Sequence, residues 1–255
     1  MNLDIGNILA NWPYEPGQVT ARRIRGRDGK DKIQLRLDLG ILQMEARGRP
    51  DGRRPHGCRS LLNYYRKQLE RFRERHGNDK GFSLDERACE LLRTEGMMYY
   101  HRYLAEFVLG DFEAVVRDTR RNLCLTDFCN AYAQETSDRY VLEQYRPYVL
   151  MMNARARSQR SLRDRRPKAA LAAVREGIEE IEDFFHRFGE EKMTTKSNEL
   201  AVLRAMAGEI EARIPKHPLE KLHDALEQAV SEERYEEAAA IRDKISRARG
   251  NRARW

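Results

Sequence analysis

Two hydrophobic periods run along this chain, and the switch between them divides it. Ile33, Leu35, Leu37, Leu39 and Ile41 alternate with Lys32, Gln34, Arg36 and Asp38. A period of two places the first set on one face of a strand and leaves the second on a solvated face. Val19 to Gly26 forms a second strand segment, joined to Asp31–Gly40 through the turn Arg27-Asp28-Gly29-Lys30. The pair reads as a β-hairpin. A hairpin alone is marginal in water. Its leucine face must therefore pack on Met44, on the Trp12-Pro13-Tyr14 segment or on the helices that follow.

Beyond residue 57 the period changes to that of helices. Ser60 is placed to cap a helix reaching about Arg75. A long helix is expected from Leu84 to Leu109, with Ser83 and Glu86 spaced as a capping box. Gly110-Asp111-Phe112 turns the chain into a second helix, Glu113 to Ala133. Another pair follows. Ser137 or Asp138 starts a helix to about Arg163, with Pro147 setting either a kink or the true start. Arg165-Arg166-Pro167 forms the turn, and Ala169 to Phe188 the partner helix. Leu200, Leu203, Met206 and Ile210 mark one more helix, from Thr194 to Ile214, which Pro215 ends.

The terminal segment carries two short apolar stripes. Leu219, Leu222, Leu226 and Ala229 recur at three- and four-residue spacing behind Pro218, a residue suited to a helix start. Ser231 to Arg234 interrupts the pattern; Tyr235, Ala238, Ile241 or Arg242, and Ile245 resume it. Each helix is too short to be stable alone, so the two must close on each other.

Leu219, Leu222, Ala229, Tyr235-Glu236, Ala238-Ala239, Arg242-Asp243 and Ile245 match the UVR motif in order and spacing. The segment thus resembles the helical hairpin at the C-terminus of UvrB and UvrC, which also occurs in McsA-type adaptors and Clp-family ATPases. The resemblance implies protein–protein pairing between hairpins; it does not imply a catalytic activity. Tyr103-Leu104-x-x-Phe107-x-Leu109-Gly110-Asp111-Phe112 resembles the turn of a tetratricopeptide repeat. Trp12 to Gly17, Gln34 to Gly40 and Gly48 to Gly57 together resemble a bacterial family in which these segments precede helices and a terminal UVR-type hairpin. That likeness implies an architecture and carries no activity. The expected fold is mainly α. It comprises a small N-terminal β-hairpin with an Arg/Gly/Pro loop (1–57), antiparallel tetratricopeptide-like hairpins (58–214), and the UVR-like hairpin with a short basic tail (215–255).

Composition narrows the function. The 255 residues are 40% hydrophobic and 35% charged, with a net charge of +7. No run is long and apolar enough to span a membrane, and Met1 to Ala10 lacks the pattern of a signal peptide. Four scattered cysteines form no disulfide framework, which points to the cytoplasm. No histidine or cysteine spacing suits a metal. Cys124 and Cys129 read as buried thiols of a helix pair, Asp111 as a turn residue and Asp118 as a helix-surface charge. No catalytic, cofactor or metal residue is assigned.

Charge is spread unevenly. Residues 1–80 hold 18 Lys and Arg against 10 Asp and Glu. Arg22 and Arg25 on the hairpin, with Arg47, Arg49, Arg53 and Arg54 in the loop, are candidates for contact with an anion or nucleic acid. The arginine row from 155 to 168 can either track phosphates or pair with the acidic stretch 176–183. Two functions compete. The first is a non-enzymatic adaptor or scaffold binding a protein through Leu219, Leu222, Leu226, Ala229, Tyr235, Ala238, Ala239, Arg242 and Ile245, with self-association through the same hairpin open. The second is a nucleic-acid-associated factor using the basic N-terminal segment.

Overall fold

The computed structural model describes residues 4–215 and 218–250. The chain divides into two compact units, 1–208 and 209–255. In the N-terminal unit a short helix, α1 (Gly6–Ala10), precedes β1 (Ala21–Arg25), β2 (Asp31–Leu37) and β3 (Gly40–Glu45). These form an antiparallel sheet in the order β1-β2-β3.

The expected hairpin is therefore a three-stranded meander. Leu37 pairs with Gly40 across a two-residue turn, and Met44 sits opposite Ile33 in β3. The reversal at residues 38 and 39 explains why the leucine stripe fails halfway. Ile33 and Leu35 are buried, whereas Leu39 at the turn tip is 89% exposed. The other face departs further from expectation, because Lys32, Gln34 and Arg36 are buried and not solvated. Gln34 accepts from Arg22 Nε at 2.7 Å and donates to Gln43 at 2.9 Å. Arg36 donates to the carbonyls of Trp12, Asp38 and Gly40 at 2.8, 3.0 and 3.1 Å, and the Trp12 ring lies over Arg22 at 4.3 Å. A buried polar face is stable when its groups find partners, and here the segment before β1 supplies part of them. The opposite face packs Ile33, Leu35 and Met44 against Ala105.

Five longer helices complete the unit: α2 (Leu61–His76), α3 (Glu86–Val108), α4 (Phe112–Tyr132), α6 (Arg146–Arg163) and α7 (Pro167–Arg187). Between them lies the short α5 (Thr136–Tyr140); after α7 come α8 (Met193–Lys196) and α9 (Asn198–Arg213). Ser60 caps α2 as expected, accepting from Asn63 N–H at 3.1 Å. For α3 the cap is Asp85, which accepts from Ala88 N–H at 2.7 Å, and not Ser83. Leu84 is instead extended and exchanges backbone hydrogen bonds with Tyr132 and Gln134. The single helix expected from about 137 to 163 breaks at residues 141–145, and Pro147 marks the start of α6. Likewise Ser197 separates α8 from α9, its hydroxyl accepting from Leu200 N–H at 3.3 Å.

Contacts between helices show that successive pairs run antiparallel. Phe107 meets Phe112 and Arg102 meets Asp118 across α3 and α4. Asn153 donates to Thr119 Oγ1 at 2.8 Å, while Arg146 pairs with Asp127 and Arg160 with Glu113 across α4 and α6. Between α6 and α7 a Cβ built on Gly177 would overlap the Cβ of Ala154, so glycine sets that approach. Leu62, Leu92, Leu125 and Phe128 centre one core among α2, α3 and α4.

Four helices end in the same way. The N–H three residues beyond the helix end bonds back five positions: Asp111 to Glu106, Arg166 to Ser161, Glu190 to Phe185 and Arg234 to Ala229, all between 2.8 and 2.9 Å. The residue before each has positive φ: Gly110 at 71°, Arg165 at 56°, Gly189 at 68° and Glu233 at 58°. This is the Schellman motif, which satisfies carbonyls the helix leaves open. Glycine adopts it freely, but Arg165 and Glu233 do so against the preference of an L side chain.

The C-terminal unit contains α10 (Pro218–Ser231) and α11 (Tyr235–Gly250). Ala229, Ala238, Ile241 and Ile245 are buried between them, flanked by Leu222, Ala225 and Leu226. The mainly helical fold, with its N-terminal sheet and C-terminal hairpin, is the expected class with the sheet enlarged.

Candidate functional site

The terminal hairpin divides its own residues between a closed seam and an open surface. Ala229, Ala238 and Ile245 lie in the seam, and Leu222 and Leu226 are partly buried against it. The small alanines let two backbones come close. Ala239 and Arg242 are exposed on α11, and Tyr235 is 67% exposed. The side chain of Leu219 lies outside what is described. Val230, which the sequence reading did not single out, is 51% exposed at the end of α10. It sits five residues before Tyr235, on the other side of the turn. Around that turn Arg234 pairs with Glu232 at 2.6 Å and with Glu237. The Glu232 carboxyl is held below its ordinary range by hydrogen bonds from Gln228 and Arg234. Glu227, Glu233 and Glu236 are exposed beside it.

In the N-terminal unit the sheet, the loop after β3 and the starts of α2 and α4 enclose a cleft of about 1530 Å³. Of the six basic candidates, Arg47, Arg49, Arg53 and Arg54 line it, and Arg22 and Arg25 do not. Arg22 is half-buried against Gln34 and Trp12, and Arg25 pairs with Asp31 at 2.9 Å. Arg49 is largely buried, with Nε 3.3 Å from both Asp51 and Glu95. Arg59, just before α2, joins the lining, as do Arg117 and Arg120 from α4, a helix distant in sequence.

A buried ion network holds the cleft wall. Arg102 and Asp118 are each 0% exposed. Arg102 Nε donates to Asp118 Oδ2 at 2.6 Å and Nη2 to Oδ1 at 2.9 Å. Its remaining nitrogen, Nη1, donates at 2.9 Å to the carbonyls of both Glu45 and Gly48, tying the loop to α3. Asp118 is thus no surface charge, contrary to its sequence reading. The reversal has a simple cause: Arg102 on the facing helix neutralises it, and neither could be buried alone. Arg117 bridges Asp118 at 2.8 Å and Glu106 at 2.9 Å. Burial, and then the neighbouring Asp118 charge, pushes the Glu106 carboxyl up to about 8. A second centre uses Glu95, which accepts from the Leu61 and Leu62 N–H groups at 2.8 and 3.3 Å and pairs with Arg121. One buried carboxylate thereby caps α2 from a different helix.

The other candidate chemistry has structural explanations. Cys129 shares a hydrogen bond with Cys89 of α3, and burial pushes the two thiols up to about 12 and about 11. Such thiols stay protonated at neutral pH, so they are poor nucleophiles. Asp111 caps α4 and pairs with Arg23 at 2.7 Å. From the arginine row, Arg157 pairs with Glu176 while Arg155 lies 4.6 Å over the Phe107 ring. Among the described residues no group of three His, Cys, Asp or Glu is placed to hold a metal, and no helix is long and apolar enough to cross a membrane.

Residues 218–250 match the UvrB/uvrC motif, UVR. The match covers both helices of the terminal hairpin, and motifs of this type generally mediate protein interactions. Neither a curated protein nor a solved structure matches the chain.

Proposed function

We propose that the protein is a non-enzymatic cytoplasmic adaptor of a bacterial family, engaging a protein partner through its terminal hairpin. The observation that carries this reading is the division of the hairpin's apolar residues. Ala229, Ala238, Ile241 and Ile245 close its seam, yet Val230 and Tyr235 stay more than half exposed beside the turn. A hairpin serving only its own fold has no need of an exposed aromatic there, and tyrosine is enriched where protein surfaces meet. Glu227, Glu232, Glu233, Glu236 and Glu237, all exposed, flank these two residues along the chain. The fitting partner is a helical surface with an apolar centre and a basic rim. In this reading the α3/α4 and α6/α7 pairs act as tetratricopeptide-like hairpins that form the rigid body of the adaptor.

The test compares proteins captured by the full chain with those captured by Tyr235→Glu and Val230→Glu variants. Both positions are exposed, so the hairpin keeps its helix content while specific partners disappear. Identical partner sets for all three proteins refute the proposal.

A further inference from the structure

The basic cleft of the N-terminal unit is unused by a protein-binding hairpin. Its lining contains nine arginines and one lysine against four carboxylates. All four carboxylates already have a cation: Asp31 has Arg25, Glu45 has Lys32, Asp111 has Arg23 and Glu113 has Arg160. By contrast Arg47, Arg53, Arg54 and Arg59 are exposed and have no carboxylate partner among the described residues. Like charges gathered without counter-charges repel, and the concave wall concentrates their field.

The wall is also rigid. Arg102 grips the carbonyls of Glu45 at the end of β3 and Gly48 in the loop from a buried position, and Arg49 lies between Asp51 and Glu95. The four free guanidinium groups therefore hang from an ordered loop and helix start rather than from a loose tail.

We infer that this cleft binds the phosphodiester backbone of a nucleic-acid duplex, with Arg47, Arg53, Arg54 and Arg59 contacting phosphates. Three observations select that ligand. Guanidinium forks match phosphate oxygens. The cleft exceeds the roughly 300–1,000 Å³ of a small-molecule site. No aromatic residue lines it, and its apolar side chains are only Ala46, Ala114 and Val116. Single-strand sites stack bases on aromatic rings, and a protein partner needs an apolar interface core. A backbone read by charge alone needs neither. The binding is accordingly independent of base sequence.

The test measures fluorescence anisotropy of the full chain with a labelled mixed-sequence 20-base-pair DNA duplex and its RNA counterpart, across a salt series. Four phosphate contacts predict a slope of log affinity against log salt of about −3.6. The Arg53→Ala/Arg54→Ala variant then loses about 1.8 of that slope and roughly 60-fold in affinity at 0.1 M salt. The Arg47→Ala/Arg59→Ala pair behaves alike, and Arg53→Lys/Arg54→Lys retains most of the slope. Thermal melts unchanged from the parent show that no variant is unfolded. Three results overturn the inference: duplex affinity unchanged in both alanine pairs, equal or tighter binding of a 20-base oligothymidylate, or equal or tighter binding of poly-glutamate. These outcomes do not depend on whether the terminal hairpin binds a protein, since the substitutions lie outside it.

Discussion

Removing the Asp118 carboxylate tests whether the buried network supports the fold and the cleft together. Asp118→Ala leaves the Arg102 charge with two backbone carbonyls and Glu106 at 3.7 Å, in a site 0% exposed. Deleting one partner of a buried, hydrogen-bonded ion pair costs about 3–5 kcal/mol. Against a total stability of roughly 5–15 kcal/mol, that is a large share. The double replacement Arg102→Met/Asp118→Leu separates two explanations. In an isolated pair, apolar substitutes of similar volume restore near-parental stability. Here the carbonyls of Glu45 and Gly48 also lose their donor, at about 1–3 kcal/mol for each left unsatisfied. The double variant should therefore remain about 2 kcal/mol or more below the parent. Urea unfolding at pH 7, with the slope against denaturant held constant as the criterion for an unchanged transition, gives both numbers. A loss below about 1 kcal/mol in Asp118→Ala would mean that the pair behaves like an exposed one, and the argument fails. A double variant as stable as the parent would show that the carbonyl anchor contributes nothing.

Glu106 gives stability a distinct pH dependence. Its folded carboxyl titrates at about 8 against an ordinary value of 4.5, so its contribution is full below about 4.5 and is lost as pH rises through about 8. Glu106→Gln should therefore gain stability relative to the parent, by on the order of a few kcal/mol, as pH rises from 5 to 8.5; the same difference at both pH values rules this out. At the α6/α7 crossing, Gly177→Ala must push Ala154 aside. Overpacking of about 1–3 kcal/mol outweighs the roughly 1 kcal/mol that alanine gains in a helix, and a raised melting temperature would contradict it. Arg165→Gly and Glu233→Gly should each stabilise by about 1 kcal/mol, because the left-handed conformation costs an L residue about that much. Calorimetry of the full chain tests this, and a lowered transition in either variant would count against it.

What was readable along the chain was local. Ser60 caps the helix it precedes, Gly110-Asp111 turns the chain from α3 into α4, Pro147 lies at the start of α6, one of the two places the sequence allowed it, and the paired apolar stripes of 218–245 fold into a hairpin. Each of these rests on hydrogen bonds or side-chain spacings spanning a few residues, so the adjacent sequence carries the whole signal. Gly110 marks its turn for the same reason. Arg165 and Glu233 make identical turns without a glycine to mark them.

Of the cleft, the sequence disclosed the arginine-rich loop but neither its depth nor its membership. Arg117 and Arg120 arrive from α4, an element that only folding brings beside Arg47. The third strand was hidden because Asp38-Leu39 lacks the glycine that commonly marks a two-residue hairpin turn.

By itself, then, the sequence determined the mainly helical class, most helix starts and the terminal hairpin, because periodicity and capping act within one or two turns of chain. Tertiary structure alone decided which charges are buried. Asp118 and Arg102 stand 16 residues apart, and Arg102 reaches a carbonyl 57 residues away. A charge leaves water only when its partners are already in place. The decision to bury Asp118 and leave Arg53 and Arg54 exposed therefore belongs to the assembled fold.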